Sequence, residues 1–329
     1  MLLVVTLLLF VLIIGLCVGS FLNVVILRSL SEESIVFPAS KCPKCQHPLK
    51  WWHNIPVLSY ILLRGKCGFC KEKISVQYPI IELLTGIAFL LVFLKFGLTL
   101  NTLFAWIITS LFVVIAGTDW REKVVFDVHT YSLIGVGLFC AVLTTGWMIY
   151  DYTTLFGHFE YSPQWFVSNP ITVALLGVIL GFVGMEIISR LGYLFAGSRA
   201  FGEGDSFIAA GLGAVLGWKA LLPVLIISVI LQIIAIIPAF IKKEIEQKNW
   251  MVLISLGAFA VYTGAFMMAQ KFGWLENMIA YTASTIVLVI IGLLACREIL
   301  ASVKVGPENR TYFPFGPALV FAGFILLIS

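Results

Sequence analysis

Apolar residues fall in ten long runs along this chain, at 2–27, 79–96, 103–118, 131–150, 171–195, 207–218, 221–241, 251–270, 277–296 and 315–329. Runs of this kind predict membrane-spanning helices. The expected fold class is therefore an all-α polytopic membrane protein with about ten transmembrane helices. One polar stretch, 29–78, is much longer than the other breaks and follows the first run. The run 207–218 is short: at about 1.5 Å per residue it cannot cross a hydrocarbon core of about 30 Å. It is expected to begin before Phe207 or to dip only part-way. Its glycines, Gly211, Gly213 and Gly217, predict close packing inside a bundle.

Composition agrees with this pattern. Of 329 residues, 60% are hydrophobic and 12% charged, with a mean hydropathy of +1.05; an ordinary soluble domain is roughly a quarter charged. The net charge of +4 gives no reason to invoke nucleic acid. The first run lacks a basic leader and a convincing small-residue cleavage pattern, so it reads as a retained span rather than a signal peptide. Placing the polar stretch 29–78 in the cytoplasm and alternating the spans puts eighteen of the 21 Lys and Arg residues inside. Only Lys95, Lys219 and Lys271 fall outside, and the acidic loop 151–169 carries no Lys or Arg. That asymmetry is what the positive-inside rule demands. It also places two acids, Asp119 and Asp205, on the same side of the membrane.

Asp119 closes the run 103–118, and Asp205 stands in Gly202-Glu203-Gly204-Asp205 before the next apolar run. Two carboxylates at helix ends on one face suit an aspartic protease. One, ionised, takes a proton from water; the other, protonated, acts on the scissile carbonyl and the leaving nitrogen. Gly202 and Gly204 would let backbone approach a bound peptide and would permit positive φ, which makes them candidate substrate-binding positions. Structural roles are open for each acid: Asp205 as a helix cap, Asp119 as a boundary acid paired with Arg121 or Lys123. Asp127 competes with Asp119 but begins the following span, where capping is its natural work. Glu203 is read as solvated or substrate-facing.

Cys42-Pro43-Lys44-Cys45 and Cys67-Gly68-Phe69-Cys70 are separated by 21 residues. Two C-x-x-C knuckles at this distance make a closed tetrahedral thiolate site, with structural zinc as the expected metal and a redox pair or iron as alternatives. The assigned cytoplasmic location disfavours disulfides. His47 and His53, between the knuckles, are expected to be surface or supporting residues.

Together these residues resemble the type IV prepilin peptidases. The resemblance rests on Gly19-Ser20-Phe21-Leu22-Asn23, on the paired cysteines around Asn54-Ile55-Pro56-Val57-Leu58-Ser59-Tyr60, and on Tyr78-Pro79 with Glu82-Leu83. It continues through Asp119, Gly202-x-Gly204-Asp205 and Pro314-Phe315-Gly316-Pro317. It covers most of the chain, in family order. It implies a bifunctional membrane enzyme that cleaves the leader of prepilins or pseudopilins on the cytoplasmic side. The enzyme then methylates the new N-terminal amine with S-adenosylmethionine. Asp119 and Asp205 would be the catalytic dyad, and Cys42, Cys45, Cys67 and Cys70 the zinc ligands. Asn23 and Glu82 are possible contributors to methyl transfer, with helix packing and capping as the plainer readings.

The resemblance divides the chain into a first span (1–28), a cytoplasmic zinc-knuckle domain (29–78) and a protease core (79–241). An inserted helical pair (242–311) and a last span (312–329) follow. Phe126 stands where the family has proline, and Gln77 where it often has arginine. The pair 251–270 and 277–296 is additional to the usual eight spans; being even in number, it leaves the last helix's orientation unchanged. Two other functions are carried forward: an aspartic protease without methylation, and a transporter or assembly scaffold. A transporter predicts ionisable groups at mid-span, whereas these acids lie at helix ends.

Overall fold

The structure is a computed structural model that describes residues 2–157, 165, 168–196, 201–272, 278–303 and 314–329. All ten apolar runs are represented by helices: α1 (Leu2–Leu30), α3 (Gln77–Phe96), α4 (Leu100–Glu122), α5 (Asp127–Phe156), α6 (Pro170–Ala196), α7 (Glu203–Leu216), α8 (Trp218–Glu246), α9 (Trp250–Lys271), α10 (Met278–Val303) and α11 (Gly316–Ile328). A short helix, α2 (Leu58–Leu62), lies in the polar stretch. Among the described residues seven helices are long and apolar enough to cross a membrane, while Ala280–Leu294 and Gly316–Ile328 are shorter apolar segments. Among the described residues no strand forms, only two isolated bridges. The loop expected at 151–169 lies partly outside the described residues; its opening residues instead extend α5 to Phe156. Arg199, Lys304 and Arg310 also fall outside them.

The chain divides into two units within α8, one of residues 1–230 with 314–329 and one of 231–313. In the second, α9 and α10 form an antiparallel pair. Tyr262 Oη donates to the Ser284 carbonyl at 3.2 Å, the Phe266 and Tyr281 rings are 5.8 Å apart, and Gly292 packs on Phe259.

In the first unit α1 and α3 run antiparallel at backbone distance. A Cβ on Gly15 would stand 2.8 Å from the Gly86 Cα, and one on Gly19 2.8 Å from the Glu82 Cα. Small residues are what permit such contact in a membrane, where lipid gives helices no hydrophobic reason to associate. α4 joins them through Gly117, which faces Ile26, and through Trp106, whose Nε1 donates to the Phe89 carbonyl at 3.0 Å.

The centre of this unit is α7. It begins at Glu203, so the short run gains one polar turn, yet 14 residues give only about 21 Å of helix. Gly217, at φ +80°, ends it before Trp218 opens α8. Its residues from Ile208 to Ala214 are all buried. Gly177 on α6 meets Gly213, and Gly181 meets Ala209, each backbone against backbone. Gly211 receives Leu133 of α5, and Leu212 fills the space at Gly323 of α11. The glycine-rich stretch thus works as expected, as an interior helix enclosed by three others.

Candidate active site and candidate metal centre

Asp119 lies in the last turn of α4. The helix ends at Lys123, which adopts a left-handed conformation (φ 57°) and donates its N–H to the Asp119 carbonyl at 2.9 Å. The carboxylate is buried and turns to the start of α11, where the Gly316 N–H donates to Oδ2 at 2.9 Å. Arg121 bonds instead to Gln77 Oε1 at 3.4 Å. The partner of Asp119 therefore comes from far along the chain.

Asp205 occupies the third position of α7, with Gly202 as the residue before the helix. Its Oδ2 accepts the Gly202 N–H at 3.1 Å, the reach-back half of a capping box. Asp205 is therefore not itself the expected N-cap residue but reaches back to it from inside the helix, and the same carboxylate is buried. Asp127 takes the place foreseen for it, in the first turn of α5. Glu203, also in the first turn of α7, is exposed.

Asp119 and the first turns of α7 both reach the start of α11. A Cβ on Gly316 would lie 2.5 Å from Asp119 Oδ2 and 3.1 Å from Ile208 Cδ1, one turn beyond Asp205. Phe315 meets Phe201 at a tilt of 42°, with ring centroids 4.5 Å apart. Sequence reasoning matched Pro314-Phe315-Gly316-Pro317 to a family but gave the segment no task. Its contact with Asp119 leaves no local sign in the sequence.

The positive φ expected at the glycines before Asp205 does not occur. Gly202 is extended (φ −69°, ψ 160°), and neither it nor Gly204 has positive φ. What excludes a side chain at Gly204 is packing, since a Cβ would stand 2.6 Å from the Val125 Cβ. Beside this turn, Ser189 Oγ donates to the Phe201 carbonyl at 2.8 Å.

The four paired cysteines come together, their sulfurs all within 4.8 Å of one another, a set that could hold one metal ion. The two knuckles are near copies. Cys42 N–H donates to His47 O and Cys67 N–H to Glu72 O. Gln46 and Lys71 occupy matching left-handed positions (φ 57° and 59°). An isolated bridge closes each, Lys41 with Pro48 and Lys66 with Lys73. This local repeat was missed in the sequence, although Lys-Cys-x-x-Cys begins both copies. Backbone N–H groups of Cys70 and then Phe69 hold the Cys67 thiol down at about 6, favouring the thiolate a metal needs. His47 stacks on Phe69 at 4.6 Å and His53 meets it edge-on at 5.4 Å, so both rings support the second knuckle.

Comparisons with known proteins agree with this arrangement. The bacterial peptidase A24 N-terminal domain matches residues 13–96 and the type IV leader peptidase family matches residues 106–237. A prepilin leader peptidase/N-methyltransferase from Neisseria gonorrhoeae is 34% identical over 255 residues, covering 70% of this chain and 82% of its own length. The protein of that name from Dickeya chrysanthemi is 31% identical over 281 residues, 78% of this chain and 90% of its own. The one from Myxococcus xanthus is 36% identical over 219 residues, 67% of this chain but 59% of that longer relative. No solved structure matches the chain. With two buried acids at helix ends, four clustered cysteines and relatives of this kind along most of its length, the chain belongs to the type IV leader peptidase family.

Proposed function

We propose that this chain cleaves the leader of type IV prepilins or pseudopilins at Asp119 and Asp205 and then N-methylates the new N-terminal residue. The observation that carries the reading is a pair of buried carboxylates, Asp119 bonded to the Gly316 N–H and Asp205 one turn from Ile208, which packs at the same glycine. Each Oδ2 is engaged by a backbone N–H, and we assign the other oxygens to the water and the substrate. One carboxylate takes a proton from the water as its oxygen attacks the scissile carbonyl. The other, protonated, hydrogen-bonds that carbonyl and supplies the proton that leaves with the amine. Two like charges in so dry a place titrate as a pair, which keeps one proton between them. Gly202 and Gly204 line the approach to Asp205 in this reading, where bare backbone can meet an extended peptide.

The excess of Lys and Arg on one side of the spans supports a cytoplasmic placement of both acids and of the cysteine segment in the inner membrane. Structural zinc suits the cysteines. Bonds of about 2.3 Å in a tetrahedral thiolate site set the sulfurs roughly 3.8 Å apart, and the Cys42 and Cys70 sulfurs are 3.9 Å apart. S-adenosylmethionine, when bound, supplies the methyl group. Prepilin or pseudopilin and the surrounding lipid are the partners.

The test replaces Asp119 and Asp205 singly by asparagine and measures cleavage of a prepilin in lipid. Each substitution is expected to lower kcat by about 10³ or more, as loss of an acid–base group does. Full activity in either variant removes the dyad assignment. The mass of the mature N-terminus, with and without S-adenosylmethionine, decides the methylation half. A free amine after successful cleavage leaves a peptidase alone.

A further inference from the structure

The cleavage chemistry makes no use of Glu82, a buried acid in the second turn of α3. An acid here is costly unless it is bonded, and its partner is informative. Oε2 accepts the backbone N–H of Val57 at 2.7 Å. Asn23, nearly a turn further along α1, donates to the carbonyls of Gly19 at 3.3 Å and Tyr78 at 3.1 Å. Gly19 presses so closely on the Glu82 Cα that the acid's backbone has no room to shift.

Val57 belongs to the polar stretch between the two cysteine knuckles. Its backbone stands at φ 62°, ψ −48°, and the Leu58 N–H donates across it to the Pro56 carbonyl at 2.6 Å. That is a γ-turn of the rare, strained hand. A β-branched residue at positive φ is an outlier that persists only where its surroundings fix it. Glu82 is such a fixture, reaching from a membrane helix to the central N–H of the turn. Beyond the turn, α2 leads through Leu63, Arg64 and Gly65 to Cys67. Before it, His53 packs against Gly68 and Phe69. The turn is tied to the second knuckle from both directions.

From this geometry we infer that Glu82 is a positioning residue for methyl transfer: by pinning the γ-turn at Val57, it holds the four-cysteine segment at a fixed place on α1 and α3. The inference rests on the functional reading above. Cleavage uses α4, α7 and α11, so the two activities should separate when the pin is removed. A carbonyl oxygen suffices to accept the N–H, so glutamine should replace the acid. Glycine at position 57 should make the pin dispensable, because it adopts positive φ without a side-chain clash.

The experiment uses the full chain in lipid with a prepilin and S-adenosylmethionine, and mass-measures the mature N-terminus. For Glu82→Ala, cleavage is expected to stay within about threefold of wild type, while the ratio of methylated to free amine falls about tenfold or more, the scale of a small misplacement in a site. Glu82→Gln, and Glu82→Ala combined with Val57→Gly, should both restore the ratio. Should Glu82→Ala fold poorly, Val57→Pro, which removes the donor and cannot adopt the positive φ of the turn, releases the turn from outside the membrane helices and should give the same split. Normal methylation in Glu82→Ala or in Val57→Pro overturns the inference. So does a Glu82→Gln variant as defective as alanine, a Val57→Gly combination without recovery, or a parallel loss of cleavage and methylation in Val57→Pro. A wild type that cleaves but never methylates overturns the functional reading, and this inference with it; equal methylation by wild type and variants overturns this inference alone.

Discussion

Replacing Gly316 by alanine tests whether the start of α11 sets the geometry of the acid pair. The new Cβ would stand 2.5 Å from Asp119 Oδ2 and 3.1 Å from both Asp119 Cγ and Ile208 Cδ1. Ordinary non-bonded contact begins near 3.5 Å, so the carboxylate must withdraw by about 1 Å. Withdrawal breaks the 2.9 Å bond from the Gly316 N–H. A hydrogen bond to a charged group contributes about 1.5–3 kcal/mol, which is roughly 10- to 150-fold in rate if it is lost in the transition state. A misplacement of about 1 Å at a reacting group alone costs about 10². The two estimates describe one displacement and do not add. Cleavage by Gly316→Ala should therefore fall about a hundredfold in kcat with KM little changed, measured on a prepilin in lipid. Alanine favours helix over glycine, so a general loosening of α11 would not explain such a loss. Gly135→Ala is the matched control, since a Cβ there meets nothing within 4 Å. A Gly316→Ala variant with kcat within about threefold of wild type refutes the claim that α11 positions Asp119.

Other positions give independent checks. Gly213→Ala would drive a Cβ to 2.0 Å from the Gly177 carbonyl oxygen; backbone cannot yield as a side chain can, so a loss of about 1–3 kcal/mol or more is expected, seen as a lower thermal midpoint. Gly184→Ala, with open space around it, should leave that midpoint unchanged. Cys42→Ser and Cys67→Ser should lower bound metal equally, because the two knuckles are copies; elemental analysis of the purified protein reads this directly, and full metal in either variant removes the four-thiolate site.

The helices were legible because a membrane imposes one rule, that long apolar stretches keep their backbone bonds to themselves. The rule stops where polar residues begin. Glu203, Gly204 and Asp205 count against a span, yet they form the first turn of α7, because Asp205 satisfies a backbone N–H there. The cysteine cluster was legible because spacing alone nearly specifies it. The contact of Asp119 with Gly316 was not, since nothing local marks a bond between residues 197 positions apart. Of the reasons given for the glycines before Asp205, positive φ operates at neither. Gly204 lies in helix and needs smallness against Val125, which only the packed structure reveals. Glu82 could be noticed as an acid at the start of a span, but its partner belongs to a strained turn that no propensity favours.

The bond between Asp119 and Gly316 has a consequence for the making of the protein. The two residues are 197 positions apart, with α5 to α10 between them. A chain emerging from the ribosome presents Asp119 first and Asp205 next, while the backbone that steadies Asp119 is still unmade. The centre is then incomplete throughout insertion of the intervening helices. A half-inserted molecule carries Asp119 without that bond, so if the proposed dyad is the cleaving one, competence arrives late in synthesis, after most of the bundle is already in the bilayer.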